Sequence, residues 1–385
     1  MSTKAIQSET QKIPELRFLG FSGVWEEKKL GEVAKFWNGK AHEQDISANG
    51  KYIVINSKFI SQNGDIKKYS DKQASPLKKD DIAIVMSDIP NGKAMGKCFL
   101  VDKDEKYTLN QRIGGIKSKE IISPFLIRIL NRNKYFLKFD NGVSQTNLRK
   151  DEVLRCPVIF PSILEQQKIV GFLGAVDEWI ENLRAQKESF ELYKKSLTQK
   201  IFSQQIRFKD ANGNNFPSWE NKKLGEVCKI TTGKLDANAM KENGEYRFYT
   251  CAKEYYQIDK YAFDTEALLV SGNGANVGYI HYYKGKFNAY QRTYVLDNFK
   301  SDIIFTKYFL DTKLSIRILK EKKAGNTPYI VLDTLKEMII KLPPLLEQQK
   351  IAGFLTSVDN LIESKQQQIT QSQQWKKGLM QCLFV

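Results

Sequence analysis

Histidine is almost missing: His42 and His281 are the only two in 385 residues. A Cys/His zinc site has too few ligands to form, and neither histidine has a nucleophile near it in sequence. The five cysteines, Cys98, Cys156, Cys228, Cys251 and Cys382, are odd in number, scattered and without a C-x-x-C pair. They fit reduced thiols in a cytoplasm rather than a disulfide framework. No run of about 18 apolar residues occurs, so no membrane span is expected. The opening M-S-T-K-A-I-Q-S-E-T lacks the apolar segment of a secretory signal. Complete catalytic motifs are missing too. Gly92–Cys98 has three residues between its glycines where a phosphate loop needs four, and Cys98 stands where Ser or Thr would hold magnesium. Gly272–Gly278 sets its third glycine one position late for a dinucleotide turn and runs into a strand, Tyr-Ile-His-Tyr-Tyr. Asn326-Thr327-Pro328-Tyr329 keeps only one of the two prolines in the N-P-P-Y of amino-methyltransferases.

Acidic residues are in deficit, 44 against 60 Lys and Arg, for a formal charge of +16. Such a field attracts polyanions. The plainer alternative is a solubilising surface. The excess is spread along the chain, which favours a folded surface tracking a phosphate backbone over a disordered basic arm. With 41% hydrophobic and 11% aromatic residues the chain is globular, and its length allows two or three domains.

What the chain does contain, it contains twice. Residues 161–177 read P-S-I-L-E-Q-Q-K-I-V-G-F-L-G-A-V-D, and residues 343–359 read P-P-L-L-E-Q-Q-K-I-A-G-F-L-T-S-V-D, a constant offset of 182. Each copy opens a helix with a heptad seam. The first seam is Ile169, Leu173, Val176, Ile180, Leu183, Phe190, Leu197 and Ile201; the second is Ile351, Leu355, Val358, Ile362, Ile369, Leu379 and Leu383. The seams lapse at different places, Lys187 in one and Lys365 and Ser372 in the other, which suits two unlike helices pairing within one chain. A rival reading is a coiled-coil scaffold that pairs between chains. A second block also recurs: R-F-L-G-F-S-G-V-W-E-E-K-K-L-G-E-V from Arg17, and R-F-K-D…F-P-S-W-E-N-K-K-L-G-E-V from Arg207. The blocks end near Gly39-Lys40 and Gly233-Lys234. The order is therefore segment, helix, segment, helix.

P-x-x-x-E-Q-x-x-I opening a long helix, twice in one chain, resembles the specificity subunit of type I restriction–modification enzymes, over essentially the whole length. The resemblance implies an α+β fold: two globular target-recognition domains joined by two long helices in an intramolecular antiparallel coiled coil, with pseudo-two-fold symmetry. The expected divisions are a frayed tail at 1–16, domain one at 17–160, a spacer helix at 161–205, domain two at 206–342 and a second spacer helix at 343–385. Within the domains, Tyr52–Asn56, Asp81–Met86, Ala267–Val270 and Tyr279–Tyr283 read as strands. Asn91-Gly92 reads as a turn. Ser123–Leu137, capped by Ser123 with Pro124 in its first turn, and Thr306–Leu319 read as helices.

The resemblance also implies a non-catalytic protein that reads a split, asymmetric double-stranded DNA site, one half per domain. Two methyltransferase subunits would bring S-adenosylmethionine, and two restriction/motor subunits, as optional further partners, would bring ATP and magnesium. The setting is a bacterial or archaeal cytoplasm, away from membranes, and none of those cofactors is expected on this chain. The rival classes are a fused nuclease or methyltransferase, and a scaffold that recognises RNA or protein. Polar and cationic side chains on loops are the candidates for contacting bases and phosphates. In the first domain these are Lys93, Lys97, Gln111, Arg112, Ser144, Gln145, Thr146, Asn147, Arg149 and Lys150. In the second they are Asn273, Asn276, Gln291, Arg292, Lys322, Lys323, Asn326, Thr327 and Tyr329. An ordinary polar loop beside a helix is the alternative for any one of them, and the Gln-Arg pairs could equally serve the fold.

Overall fold

The computed structural model describes residues 12–42, 44–88, 93–140, 146–321 and 329–385. The chain divides into two compact units, one of Met1–Asn182 with Ile369–Val385 and one of Leu183–Gln368. The division cuts through both long helices, Ile163–Phe202 and Leu345–Leu383, so each unit owns part of each helix. Both units mix helix and sheet, and no helix among the described residues is long and apolar enough to cross a membrane.

The first unit is built on a four-stranded sheet in the order Ala34–Asn38, Ile113–Ser118, Ile82–Val85, Cys98–Leu100. Ile82–Val85 is buried throughout, as a central strand covered on both faces must be. A three-stranded sheet beside it runs Tyr69–Ser70, Tyr52–Ile55, Tyr107–Leu109, the last two parallel. The second unit has one six-stranded sheet: Lys229–Thr232, Thr293–Asp297, Phe263–Ser271, Ile280–Ala289, Tyr246–Tyr249, Tyr256–Ile258. The two topologies are the same. Where the second unit has the continuous strand Ile280–Ala289, the first has Cys98–Leu100 and Tyr107–Leu109, interrupted by a turn with Glu105 at φ 51°. The strand expected at Tyr279–Tyr283 is thus the start of a longer one.

The structure departs from three other expectations. The helix expected over Ser123–Leu137 is two helices, Ser123–Leu130 and Lys134–Leu137. Arg132 breaks it at φ 58°, a left-handed conformation no helix interior accepts, with its N–H donating to Gly96 O at 2.8 Å. Ser123 is not the cap; Ile122 is, and Gln166 Oε1 accepts its N–H at 2.9 Å. The described end of the supposed frayed tail is also tied down, since Leu16 N–H donates to Cys382 O and Lys12 O accepts from Trp25 N–H.

Within each unit the helix segments run antiparallel. In the first, Phe172 and Trp179 both meet Trp375, at 6.3 and 6.4 Å between ring centroids, while Ile169 and Leu173 share a core with Leu383. In the second, Lys194 pairs with Asp359, while Ile201 and Phe202 share a core with Ile351 and Leu355. Ile169, Leu173, Val176, Ile180, Leu183, Ile351, Leu355, Val358 and Ile369 are buried; Phe190, Leu197, Ile362 and Leu379 are half-buried. Lys187 breaks the first seam and is held by Glu191 at 3.1 Å, one helical turn away.

The repeated E-Q…V-D signature turns out to be docking apparatus. Glu165 is buried and receives Arg17 through Nε and Nη2, both at 2.8 Å. Glu347, fully buried, receives Arg207 at 3.2 and 2.6 Å. Gln166 and Gln348 each accept a backbone N–H at the start of a domain helix, from Ile122 at 2.9 Å and Asp302 at 2.8 Å. Each also donates to the carbonyl of the proline that opens its own repeat, Pro161 or Pro343, at 2.8 Å. Asp177 takes Lys376 from the other helix and Arg128 from the domain, and Asp359 takes Lys194 and the Tyr308 hydroxyl. Burial and the Asp359 carboxylate push the Tyr308 hydroxyl well above the usual phenol range, keeping it a donor. The K-K-L-G-E-V block has an equally structural reason. Glu26–Lys29 pairs with Pro157–Phe160 and Glu220–Lys223 with Ile339–Leu342, each strand running into a one-turn helix capped by Glu32 or Glu226.

Candidate nucleic-acid interface

In each unit the central strand ends where two segments far apart in sequence meet. In the first unit Met86 N–H donates to Arg112 O at 3.2 Å, and Met86 O accepts from Leu148 N–H at 2.7 Å. In the second, Gly272 N–H donates to Arg292 O at 2.9 Å, and Gly272 O accepts from Ile330 N–H at 2.7 Å. One position on, Ser87 pairs with Asn147, and Asn273 with Tyr329. One position back, Val85 is bonded to Gly96 and Lys97, as Ser271 is to Gly278 and Tyr279. Gly96 and Gly278 both take positive φ, 71° and 83°, which suits glycine in a tight turn. The same backbone frame thus presents different side chains in the two units: Lys97 against Tyr279, Ser87 against Asn273, Asn147 against Tyr329.

The frame brings Lys97, Gln111, Arg112 and Asn147 to one end of the first sheet. It brings Asn273, Asn276, Gln291, Arg292 and Tyr329 to the matching end of the second. Lys93, Gln111, Arg112, Asn147, Arg149, Lys150, Gln291, Arg292 and Tyr329 are exposed, and Lys97 is half-buried. Some candidates already hold their own chain. Asn276 donates its amide to Cys251 O at 3.1 Å, and Gln291 donates to Asp236 Oδ1 at 2.7 Å. The backbone of Thr146 lies in the short strand with Asn147. Ser144, Gln145, Lys322, Lys323, Asn326 and Thr327 lie outside the described residues, as does the expected Asn91-Gly92 turn. Arg149 and Lys150 follow buried Leu148 and begin a short helix, Lys150–Leu154. The second unit has Val331 and Leu332 at those positions, so this cation pair is not repeated.

The glycines that end the repeated front block fix the approach to the Gln-Arg pairs. A Cβ on Gly39 would meet Asn110 O at 2.0 Å, and one on Gly233 would meet Ala289 O at 1.9 Å. His42 is buried between Lys40 O and Thr108 Oγ1, at 2.7 and 2.8 Å. His281 binds Ala252 O at 3.0 Å, and burial pushes its pKa down. Both are parts of the frame. Among the described residues no group of His, Cys, Asp and Glu could hold a metal ion.

The two units thus share one backbone scaffold and carry different side chains at the matching sheet ends. The chain belongs to the type I restriction modification DNA specificity family, whose profile matches residues 23–192 and 217–372. It is 39% identical over 167 residues to the EcoDI type I restriction enzyme specificity subunit of Escherichia coli, covering 43% of this chain and 37% of that subunit's length. It is 25% identical over 418 residues to the MjaVIII specificity subunit of Methanocaldococcus jannaschii, covering 97% of this chain and 95% of the other. The fold resembles the crystal structure of the type I restriction–modification S subunit from M. genitalium, with a TM-score of 0.62 and 18% identity over 97% of this chain and 99% of that one.

Proposed function

We propose that the chain is the DNA-reading subunit of a type I restriction–modification complex, each unit reading one half of a bipartite, asymmetric duplex site. The observation that carries this is the shared sheet-end frame with divergent side chains, repeated in a chain of net charge +16. Frame residues set geometry, cations supply phosphate affinity, and the divergent positions choose bases. Catalysis belongs to partners. Two methyltransferase subunits bring S-adenosylmethionine, and restriction/motor subunits, where the system keeps them, bring ATP and magnesium. The chain works in the cytoplasm of a bacterium or archaeon. The test is to express it with its methyltransferase partner and map methylated sites across a genome. A two-part motif with an unread gap is expected, and methylation that ignores sequence would refute the proposal. The purified chain alone should neither methylate nor cut DNA.

Contacts of the two classes should separate by salt. Alanine at Arg149 or Lys150 weakens binding to all duplexes alike and shallows the salt dependence by about one unit of slope. Alanine at Asn147 instead costs about 1–3 kcal/mol on the correct site and relaxes one base position. Fluorescence anisotropy on cognate and scrambled duplexes across a salt series distinguishes them. A uniform loss from the Asn147 change would move it into the positioning class.

The helices act as a ruler. Inserting one heptad after Arg184 and another after Gln366 keeps both seams in register and adds about 10 Å of helix. The unread gap in the methylated motif is expected to grow by about 2–3 base pairs with both half-sites unchanged. An active variant with an unaltered gap would show that the partners set the spacing.

A further inference from the structure

The second unit holds a cation that the sheet-end reading does not use. Arg247, on strand Tyr246–Tyr249, has its guanidinium 4.3 Å from the ring centroid of Tyr255 and 4.5 Å from that of Tyr283. Both are well inside cation–π range. Nη1 also donates to the Tyr249 hydroxyl at 3.4 Å. Its side-chain partners are these three tyrosines, and among the described residues it makes no ion pair with a carboxylate.

The repeat shows how unusual this cation is. Arg247 pairs in parallel with Phe287, as Ile53 does with Tyr107 in the first unit, so Arg247 stands where the first unit has Ile53. Ile53 is buried in a core that includes Phe59 and Ile60 of the short helix Ser57–Ser61. The second unit has no helix there. Its chain continues as a loop to Tyr255, which is 44% exposed. That loop is tied to the candidate reading end: Cys251 O accepts from Asn276, Cys251 Sγ meets Arg292 O, and Ala252 O meets His281. The Tyr249 hydroxyl and the rings of Tyr255 and Tyr283 favour its charged form in place of a carboxylate. The two rings hold its plane while leaving the edge donors largely uncommitted.

We propose that Arg247 is a DNA contact of the second unit, presenting the edge of a pre-oriented guanidinium to a pair of acceptor atoms on the duplex. This rests on the DNA-reading function proposed above. A flat fork of N–H donors matches either two phosphate oxygens or O6 and N7 of guanine. Tyr255 and Tyr283 are positioning residues that set the plane of the fork.

The test uses the complex of the full chain with its methyltransferase partner, bound to cognate and scrambled duplexes across a salt series. Arg247→Met is expected to lower cognate affinity about 10- to 100-fold. If the partner atoms are on a base, the loss is confined to the cognate duplex. The methylated motif then relaxes at one position of the half-site read by the second unit, and Arg247→Lys does not restore it. If they are phosphate oxygens, all duplexes weaken alike, the salt slope falls by about one unit and Arg247→Lys restores much of the loss. Unchanged affinity, slope and motif in a folded Arg247→Met variant overturns the proposal. Should that variant fail to fold, Tyr255→Leu on the exposed loop decides: a several-fold loss supports it and full wild-type binding overturns it. A wild-type complex that selects no duplex overturns the DNA-reading function as well. A selective wild type with indifferent variants overturns only the role of Arg247.

Discussion

Replacing residues 206–342 with the corresponding segment of another family member is expected to rewrite one half of the methylated motif completely and leave the other half and the gap unchanged. The segment lies wholly inside the second unit. Its ties to the long helices run largely through frame positions: Arg207 and Trp219 to Glu347, the Asp302 backbone to Gln348, and Tyr308 to Asp359. A donor segment that keeps Arg207, Trp219 and the K-K-L-G-E-V block brings the same attachments. The side chains on the sheet end and its loops are replaced with it. Sequencing methylated genomic DNA from cells expressing the chimaera reads both halves at once. If both halves shift together, or methylation stops in a folded chimaera, the units are not independent readers.

Arg17→Ala should cost about 3–5 kcal/mol, the largest effect expected of a single substitution far from the candidate interface. Glu165 has a side chain only 2% exposed, and both of its oxygens accept from Arg17. Removing the cation strands a buried carboxylate with no other donor among its described hydrogen bonds. Trp25 Nε1 is no substitute there, being buried and unpartnered, whereas Trp219 Nε1 donates to Glu347 at 3.2 Å. Arg207→Ala should therefore destabilise less than Arg17→Ala. Replacing both members of the first pair by leucine should cost less than Arg17→Ala alone, since no unpaired charge remains. Urea unfolding followed by tryptophan fluorescence gives the comparison. A loss below about 1 kcal/mol for Arg17→Ala would mean that Glu165 reaches water by local rearrangement.

Much of this was legible in the sequence because it is periodic or repeated. The 182-residue offset exposed the two-unit plan, heptads exposed both helices, and short β-branched runs such as Ile82–Val85 exposed central strands. The charge of +16 pointed to a polyanion, and the E-Q motifs pointed to the family. Local signals failed where a distant group overrode them. Nothing near Arg132 in sequence says that Gly96 will capture its N–H and split a helix.

The tertiary structure alone decided what the repeated residues do. Glu165 and Arg17 are 148 positions apart and Glu347 and Arg207 are 140 apart, and a charged pair at such separation leaves no period to read. The Gln-Arg pairs and the returning loops are separate stretches in the sequence, and Met86 and Gly272 join them by bonding to both. In the sequence Arg247 is one basic residue among 60 Lys and Arg. Its character comes from Tyr255 and Tyr283, which only the sheet pairing and the loop after Tyr249 bring to its two faces. Periodicity is a property of neighbours along the chain, and it determined the elements. Long-range backbone pairing obeys no such period, and it decided which side chains meet.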